Sequence, residues 1–237
     1  MSVSAIEIRR VVAVTGLRFE ARVAAGPGVT TIAGGGDPLG LTRALECEFA
    51  RGAAAIISFG IAGGLSRDAV PGTLLVADTV VARASRWYAD AAWAAALTSS
   101  LPGAVRGNVA GSDTVILEPV GKHALREATG ALAVDTESHV VAAFAAARGV
   151  PFAVLRVIAD PATRALAPAA GKGMRPNGTI NQRAVFGSLL RTPGQFPMLL
   201  RNANDTRLAL RALSRGRRLL GPGLGYPDLR QFLVDVP

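Results

Sequence analysis

The sequence predicts an α/β protein in which helices cover both faces of a sheet, giving three layers, and three observations carry that prediction. Short β-branched runs alternate with Ala- and Leu-rich segments through the first 160 residues, the rhythm of βα units. Several runs are apolar at every position rather than every second one, as strands buried on both sides require. Gly52, Gly130 and Gly149 stand where helices would end in a left-handed residue.

In chain order, 11–15, 29–33, 55–59, 73–82, 105–110 and 152–159 read as strands, and 39–51, 121–129 and 137–148 as helices. Sites in such sheets gather where strands end and loops begin. From 161 to 178 the chain turns Pro- and Gly-rich and reads as a long loop, of a length that is usually functional or disordered. A basic, Leu/Arg-rich helical extension, 179–237, follows, interrupted by Arg191-Thr-Pro-Gly-Gln-Phe-Pro. Its clearest helix is 203–220, where Leu208, Leu210, Leu213, Leu219 and Leu220 are set among Arg207, Arg211, Arg215, Arg217 and Arg218. The 237 residues, half of them hydrophobic, suffice for one domain over 1–237.

Composition excludes several function classes. No window approaches the run of about 18 uncharged apolar residues that a spanning helix needs, and Glu7, Arg9 and Arg10 precede the first apolar run, unlike a secretory signal. One cysteine, Cys47, and two histidines, His123 and His139, leave no disulfide and no Cys/His metal cluster. The expected compartment is a reducing cytoplasm. The net charge of +9 lies wholly in the last third, since residues 1–160 carry 14 basic and 14 acidic side chains. Only Lys122 and Lys172 of the 26 basic residues are lysines, and the tail's aromatics, Phe186, Phe196, Tyr226 and Phe232, are widely spaced. A nucleic-acid binder would interleave aromatics with its basic stripe, so no nucleic-acid partner is expected.

Two glycine clusters follow strands. Gly34-Gly35-Gly36 precedes a helix and is a candidate anion cradle. Ser58-Phe-Gly-Ile-Ala-Gly-Gly-Leu lacks dinucleotide spacing. The stretch 133–160 says more. Glu137 opens a nearly apolar helix, the chain turns at Gly149-Val-Pro151, and a buried strand delivers Asp160 at its end. Two carboxylates thus reach one sheet edge. On residue chemistry alone the favoured reading is bland, with Asp135 as a helix cap and Asp160 as a turn residue before Pro161.

This stretch resembles the signature of the nucleoside phosphorylase and nucleosidase superfamily: a V-E-M-E-A-like segment, a helix, V-P-F, and a strand ending in R-x-I-S-D. Val12-Ala-Val-Thr-Gly-Leu-Arg-Phe-Glu20 resembles the family's first strand and acidic turn, Gly60-Ile-Ala-Gly-Gly-Leu65 its G-S-A-G-G-L, and Gly111-Ser-Asp-Thr-Val-Ile116 its S-G-D-x-F-I. The Phe19-Glu-Ala-Arg22 turn, the charge-neutral first part and the Arg/Leu-rich tail are most similar to the hopanoid-associated phosphorylases, which remove adenine from adenosylhopane. The resemblance implies a central mixed, partly barrel-like sheet and cleavage of an adenine N-glycosidic bond in a 5′-substituted adenosine. It implies no metal or redox cofactor.

Cleaving C1′–N9 passes through an oxocarbenium-like state, so the departing purine must be protonated and the sugar held by acceptors. By resemblance Asp160 is the general acid at purine N7, Glu137 binds the ribose hydroxyls, and Glu20, aligned with one inserted residue, orients the nucleophile. Asp135, Thr136, Ile61, Ala62, Gly63, Ser112, Val115 and Ile116 are expected around sugar and base, with Phe152 behind them. The chain departs from the pattern at Ala159, Ile61 and Val115, where the family has Ser, Ser and an aromatic. It also carries Ser58 where phosphate-using members place an arginine. Hydrolysis therefore stands beside phosphorolysis, with inorganic phosphate as a co-substrate and Arg18, Arg22 or Arg43 as candidate clamps. The rival readings are a methylthioadenosine/adenosylhomocysteine nucleosidase and a non-catalytic nucleoside- or lipid-binding protein. A lipid-tailed substrate would bring the enzyme to the inner face of a membrane through 179–220, and a homo-oligomer, a dimer first, is expected. Cys47, His123 and His139 read as structural, and Trp87, Tyr88 and Trp93 as packing.

Overall fold

The computed structural model describes residues 10–167, 178, 179, 194 and 196–229. Eight strands form one sheet: β1 (Arg10–Thr15), β2 (Val29–Ala33), β3 (Ala53–Gly64), β4 (Leu74–Ala82), β5 (Ser85–Tyr88), β6 (Val105–Gly111), β7 (Ala133–Asp135) and β8 (Phe152–Asp160). β3 pairs with β8, β8 with β4, β4 with β6, β6 with β7, and β7 returns to β3. These five strands close a barrel-like ring of mixed direction, as the resemblance implies. β1 and β2 extend from β3 as parallel strands, and β5 folds back on β4.

Among the described residues six α-helices cover the sheet: α1 (Arg18–Ala24), α2 (Pro38–Ala50), α3 (Ala91–Ser100), α4 (Pro119–Thr129), α5 (Ser138–Arg148) and α6 (Phe196–Leu220). Alternate residues of the continuous apolar runs feed two cores. Val11, Ala13, Ile57, Leu155 and Val157 pack with Trp93 and Leu97 of α3 and Leu213 and Leu220 of α6. Val12, Val14, Ile56, Val154 and Ile158 pack with Leu41 and Leu45 of α2 and Val141 and Phe144 of α5. This two-sided burial is why the strands are apolar throughout. Trp93 is packing, as expected: its Nε1 donates to the Leu224 carbonyl at 3.0 Å and its ring lies 4.9 Å from that of Tyr226. Gly130 and Gly149 end α4 and α5 in left-handed conformations.

The structure differs from expectation in four places. β3 runs to Gly64, so Gly60, Gly63 and Gly64 lie within a strand rather than a following turn. The short elements α1, β5 and β7 and the Ala-rich α3 carry too little periodicity to be read from sequence. Gly34-Gly35-Gly36 is no anion cradle, because the Gly34 and Gly35 amides donate to the Thr15 and Gly16 carbonyls at 2.7 and 3.1 Å. α6 begins seven residues earlier than the predicted helix. Most of the loop at 161–178, and 180–193, 195 and 230–237 of the extension, lie outside the described residues. Among the described residues no helix is long and apolar enough to cross a membrane.

Candidate active site

A cavity of about 620 Å³ opens where β1, β3, β7 and β8 end. Glu20, Asp135, Thr136, Glu137 and Asp160 line its inner end, with Ile61, Ala62, Gly63, Val115 and Ile116 along the walls. Leu166 and the α6 residues Leu199, Asn202, Ala203, Thr206, Arg207 and Leu210 line its outer part.

Glu20 sits in the first turn of α1, where its Oε2 accepts from the Leu17 amide at 2.7 Å, a reach-back cap. Its Oε1 accepts from the Ile61 amide at 2.8 Å. Burial pushes its carboxyl up to about 7, against the pull of Arg156 and the two amides. Gly60, at φ 154°, lets β3 approach this closely, since a Cβ there would lie 2.8 Å from both Glu20 Oε1 and Arg156 Nη1.

Asp135 ends β7 and caps α5, its Oδ1 accepting from the amides of Glu137 and Ser138 at 2.8 and 2.6 Å. Its Oδ2 forms an ion pair with Arg156 Nε at 2.9 Å. Both oxygens therefore serve the protein, and Asp135 shapes the cavity without presenting a free carboxylate. Glu137 accepts from Thr136 Oγ1 and lies 3.4 Å from Arg156 Nη2. Its pKa is raised by burial, with Arg156 opposing. Gly16 closes over it, a Cβ at that position falling 3.2 Å from both carboxylate oxygens.

Arg156 holds these groups together. It is fully buried on β8, donating to Ser58 Oγ at 2.6 Å and to the Ile61 carbonyl at 3.3 Å. Burial works against its charge, but the attractions of Asp135, Glu137 and Glu20 prevail and raise its pKa. Ser58 Oγ also accepts from Ser138 Oγ at 2.9 Å.

At the other side, Asp160 ends β8, nearly buried. Its Oδ2 accepts from Nζ of Lys122, a fully buried residue of α4. The same ammonium donates to the carbonyls of Pro161 at 2.9 Å and Arg164 at 3.2 Å. Burial raises the Asp160 pKa, and Lys122 opposes the rise.

A family model described as the phosphorylase superfamily matches residues 39–184. The chain belongs to the phosphorylase superfamily. Solved structures agree on the fold. An S-adenosylhomocysteine nucleosidase from Streptococcus pyogenes, in complex with 5-methylthiotubericidin, is 15% identical with a TM-score of 0.62, over 92% of this chain and 100% of that one. A 5′-methylthioadenosine/S-adenosylhomocysteine nucleosidase from Helicobacter pylori, with butyl-thio-DADMe-Immucillin-A, is 17% identical with a TM-score of 0.59, over 88% and 97%. A futalosine hydrolase mutant from Helicobacter pylori is 19% identical with a TM-score of 0.53, over 63% and 89%. Comparison with curated proteins by sequence found no match.

Within this phosphorylase-superfamily fold, ten of the twelve residues singled out in the sequence line the cavity, and two do not. Phe152 is a correction: it opens β8, pairs with Ile56, and packs in the α2/α5 core. A nine-residue strand separates its ends by roughly 26 Å at about 3.3 Å per residue, so Phe152 cannot stand behind Asp160. Ser112 lies outside the lining, its Oγ donating to the Thr114 carbonyl at 2.7 Å and its amide to Asp135 at 2.9 Å. It shapes the loop that presents Val115 and Ile116. His139 faces Asp113 at 3.2 Å rather than the cavity. Arg156 and Lys122 are the residues that sequence reasoning missed. Their signals were a charged residue inside an apolar strand, and one of only two lysines in an arginine-rich chain.

Proposed function

We propose that the protein cleaves the N-glycosidic bond of an adenine nucleoside bearing a bulky apolar group on its 5′ carbon, with water as the nucleophile. Adenosylhopane, cleaved to adenine and ribosylhopane, has that chemistry. The observation that carries this reading is the make-up of the lining, in which the buried carboxylates Glu20, Asp135, Glu137 and Asp160 contrast with the more exposed Leu166, Leu199, Ala203 and Leu210. A sugar with a developing positive charge suits the first, and an apolar substituent suits the second.

In the proposed reaction Asp160 gives its proton to N7 as C1′–N9 breaks and the bonding electrons pass into the purine. Water adds to C1′ while Glu20 takes its proton, and Glu137 holds the ribose hydroxyls. A base works best with a pKa near the operating pH, and burial has brought Glu20 to about 7. Water is favoured over phosphate by charge beside the carboxylates: among the described residues Arg156 is committed to three of them and Lys122 to Asp160, and the one cation in the lining itself is Arg207 of α6. Neither Arg156 nor Lys122 is free to clamp a dianion.

Adenine release from 5′-alkylthio adenosines of increasing chain length, with and without phosphate, tests the reading. The expected result is a kcat/KM that rises with chain length, no phosphate dependence, and a free sugar as product. A phosphate requirement would overturn the choice of nucleophile. Preference for methylthioadenosine or adenosylhomocysteine, the latter with Arg207 meeting its carboxylate, would overturn the apolar substituent.

An apolar substituent long enough to reside in a bilayer would bring α6 to the membrane. Phe196, Leu200, Leu208 and Leu219 are exposed on it, on the side that also carries Arg207, Arg211, Arg215 and Arg218 at helical spacing. Arginines among exposed leucines suit an interface with anionic headgroups. Arg217 is not part of that face, since its Nε donates to the Ala24 carbonyl at 2.9 Å.

A further inference from the structure

Lys122 has no role in the reading above, yet it is fully buried, in a chain with only two lysines. An ammonium carries three N–H donors, and all three are spent here: on Asp160 Oδ2, on the Pro161 carbonyl and on the Arg164 carbonyl. The geometry of a donor with no spare proton and a single charged partner is that of a fixed countercharge. It ties α4 to the end of β8 and to the 161–167 segment at the point where Asp160 meets the cavity. With Oδ2 held by Lys122, and no donor from the described residues on Oδ1, Oδ1 is the oxygen left to face a ligand.

We propose that Lys122 is the positioning residue of the proposed general acid, orienting Asp160 Oδ1 toward the purine and staying charged to receive the carboxylate formed when Asp160 gives up its proton. The inference rests on the functional reading above. In the step it serves, the Asp160 O–H bond breaks and its electron pair stays on the carboxylate beside the ammonium. An N7–H bond forms, and the C1′–N9 pair passes into the purine. Lys122 gains and loses nothing. Two opposing influences then set the acid: burial keeps the proton on Asp160, and the ammonium eases its departure. The other charged groups facing Asp160 are Arg164 of the 161–167 segment and Asp205 of α6, which pair with each other and so add little net charge.

The experiment uses the full chain. With lysine labelled by 15N at Nζ, only Lys122 and Lys172 report, and Lys172→Arg assigns them. The Lys122 resonance is expected to sense a titration that disappears in Asp160→Asn. In Lys122→Met, the Asp160 midpoint, read by 13C carboxyl NMR and by the pH profile of adenine release, is expected to rise by about one unit, a ten-fold change in proton affinity. There kcat should fall about ten-fold, in keeping with loss of part of a general-acid contribution, while KM stays within about two-fold. Lys122→Arg should bring the midpoint back toward that of the unaltered chain. A Lys122 resonance that ignores Asp160, or an Asp160 midpoint unmoved in Lys122→Met, overturns the inference. So does a neutral Lys122 amine at pH 7. If Lys122→Met does not fold, the 15N titration of the unaltered chain still decides. A wild-type chain that releases no purine overturns the functional reading alone, since the two NMR titrations need no turnover.

Discussion

The buried end of the cavity and the exposed face of α6 handle charge in opposite ways. At the inner end each buried cation is spent on carboxylates, Arg156 on Asp135, Glu137 and Glu20, and Lys122 on Asp160. Along the exposed face of α6, Arg207, which lines the cavity, and Arg211, Arg215 and Arg218, which lie outside it, have no carboxylate partner among the described residues and share that face with exposed leucines. The difference follows from dielectric surroundings. A charge without water is tolerated only when paired and hydrogen-bonded, whereas an arginine in water needs no partner and gains little from one. Inner charges therefore hold one another in place, and the charges on the α6 face are free to meet something else.

The largest expected effect comes from breaking the inner network. Arg156→Met strands Asp135 and Glu137 in a buried site, and loss of one partner of such a pair costs about 3–5 kcal/mol. Chemical denaturation should show this loss, together with loss of activity. A change under about 1 kcal/mol, the range of exposed pairs, would mean that the inner end behaves like the α6 face.

Asp160→Asn should lower kcat by roughly 10² to 10⁴, the range of a general acid, with adenine-containing ligands still bound by calorimetry. Turnover near that of the unaltered chain would remove Asp160 from the reaction and leave the cavity as a binding site.

Glu20 sharpens the comparison through pH. Its carboxyl is raised from 4.5 to about 7, so folding disfavours its ionised form. The stability from the protonated form is fully present below pH 4.5 and is lost as pH rises through 7. Glu20→Gln removes that dependence. Relative to the unaltered chain, the variant should gain about 3 kcal/mol between pH 4.5 and 8, from about 1.4 kcal/mol per pKa unit. Urea denaturation at both pH values measures it, and a pH-independent difference would show that Glu20 is not buried as described. In the unaltered chain, kcat/KM should decline below pH 7 as Glu20 takes up a proton.

The smallest effect on catalysis is expected on the exposed face of α6. Replacing Arg211, Arg215 and Arg218 by Gln should leave adenine release from a tail-less adenosine within about two-fold. The same change should weaken co-sedimentation with anionic vesicles, since each basic residue near such a surface contributes on the order of 1 kcal/mol. The unaltered chain should bind the vesicles in a salt-sensitive way. Absence of binding at low salt would return the α6 face to ordinary solvated surface.

Much of the architecture is legible in the chain because it rests on local pattern. β2 falls where its apolar run does, and α5 begins and ends within a residue of the span between Glu137 and Gly149. Glu137 and Asp160 are legible as a pair because a helix and a buried strand deliver them to the same sheet edge. Asp135 kept both of its readings, a helix cap that also borders the cavity.

What sequence could not supply depends on contacts between distant segments. The closed ring needs β7, three residues long, to bridge β3 and β6, and three residues carry no period. Arg156 reads as an intrusion in an apolar strand until folding sets it beside Asp135, Glu137 and Ser58 from three other elements. Lys122 stands out in the sequence only as one of two lysines, and folding sets its ammonium against Asp160, 38 positions away. Phe152 is expected behind the sugar and base pocket, but it opens the strand that Asp160 ends, and an extended strand carries its two ends apart. The sequence by itself determined the layers, the apolar faces and the two carboxylates, through periodicities of two and 3.6. Only the tertiary structure decided which cation each buried carboxylate faces, because that pairing is made across the fold and is enforced by the cost of leaving a buried charge alone.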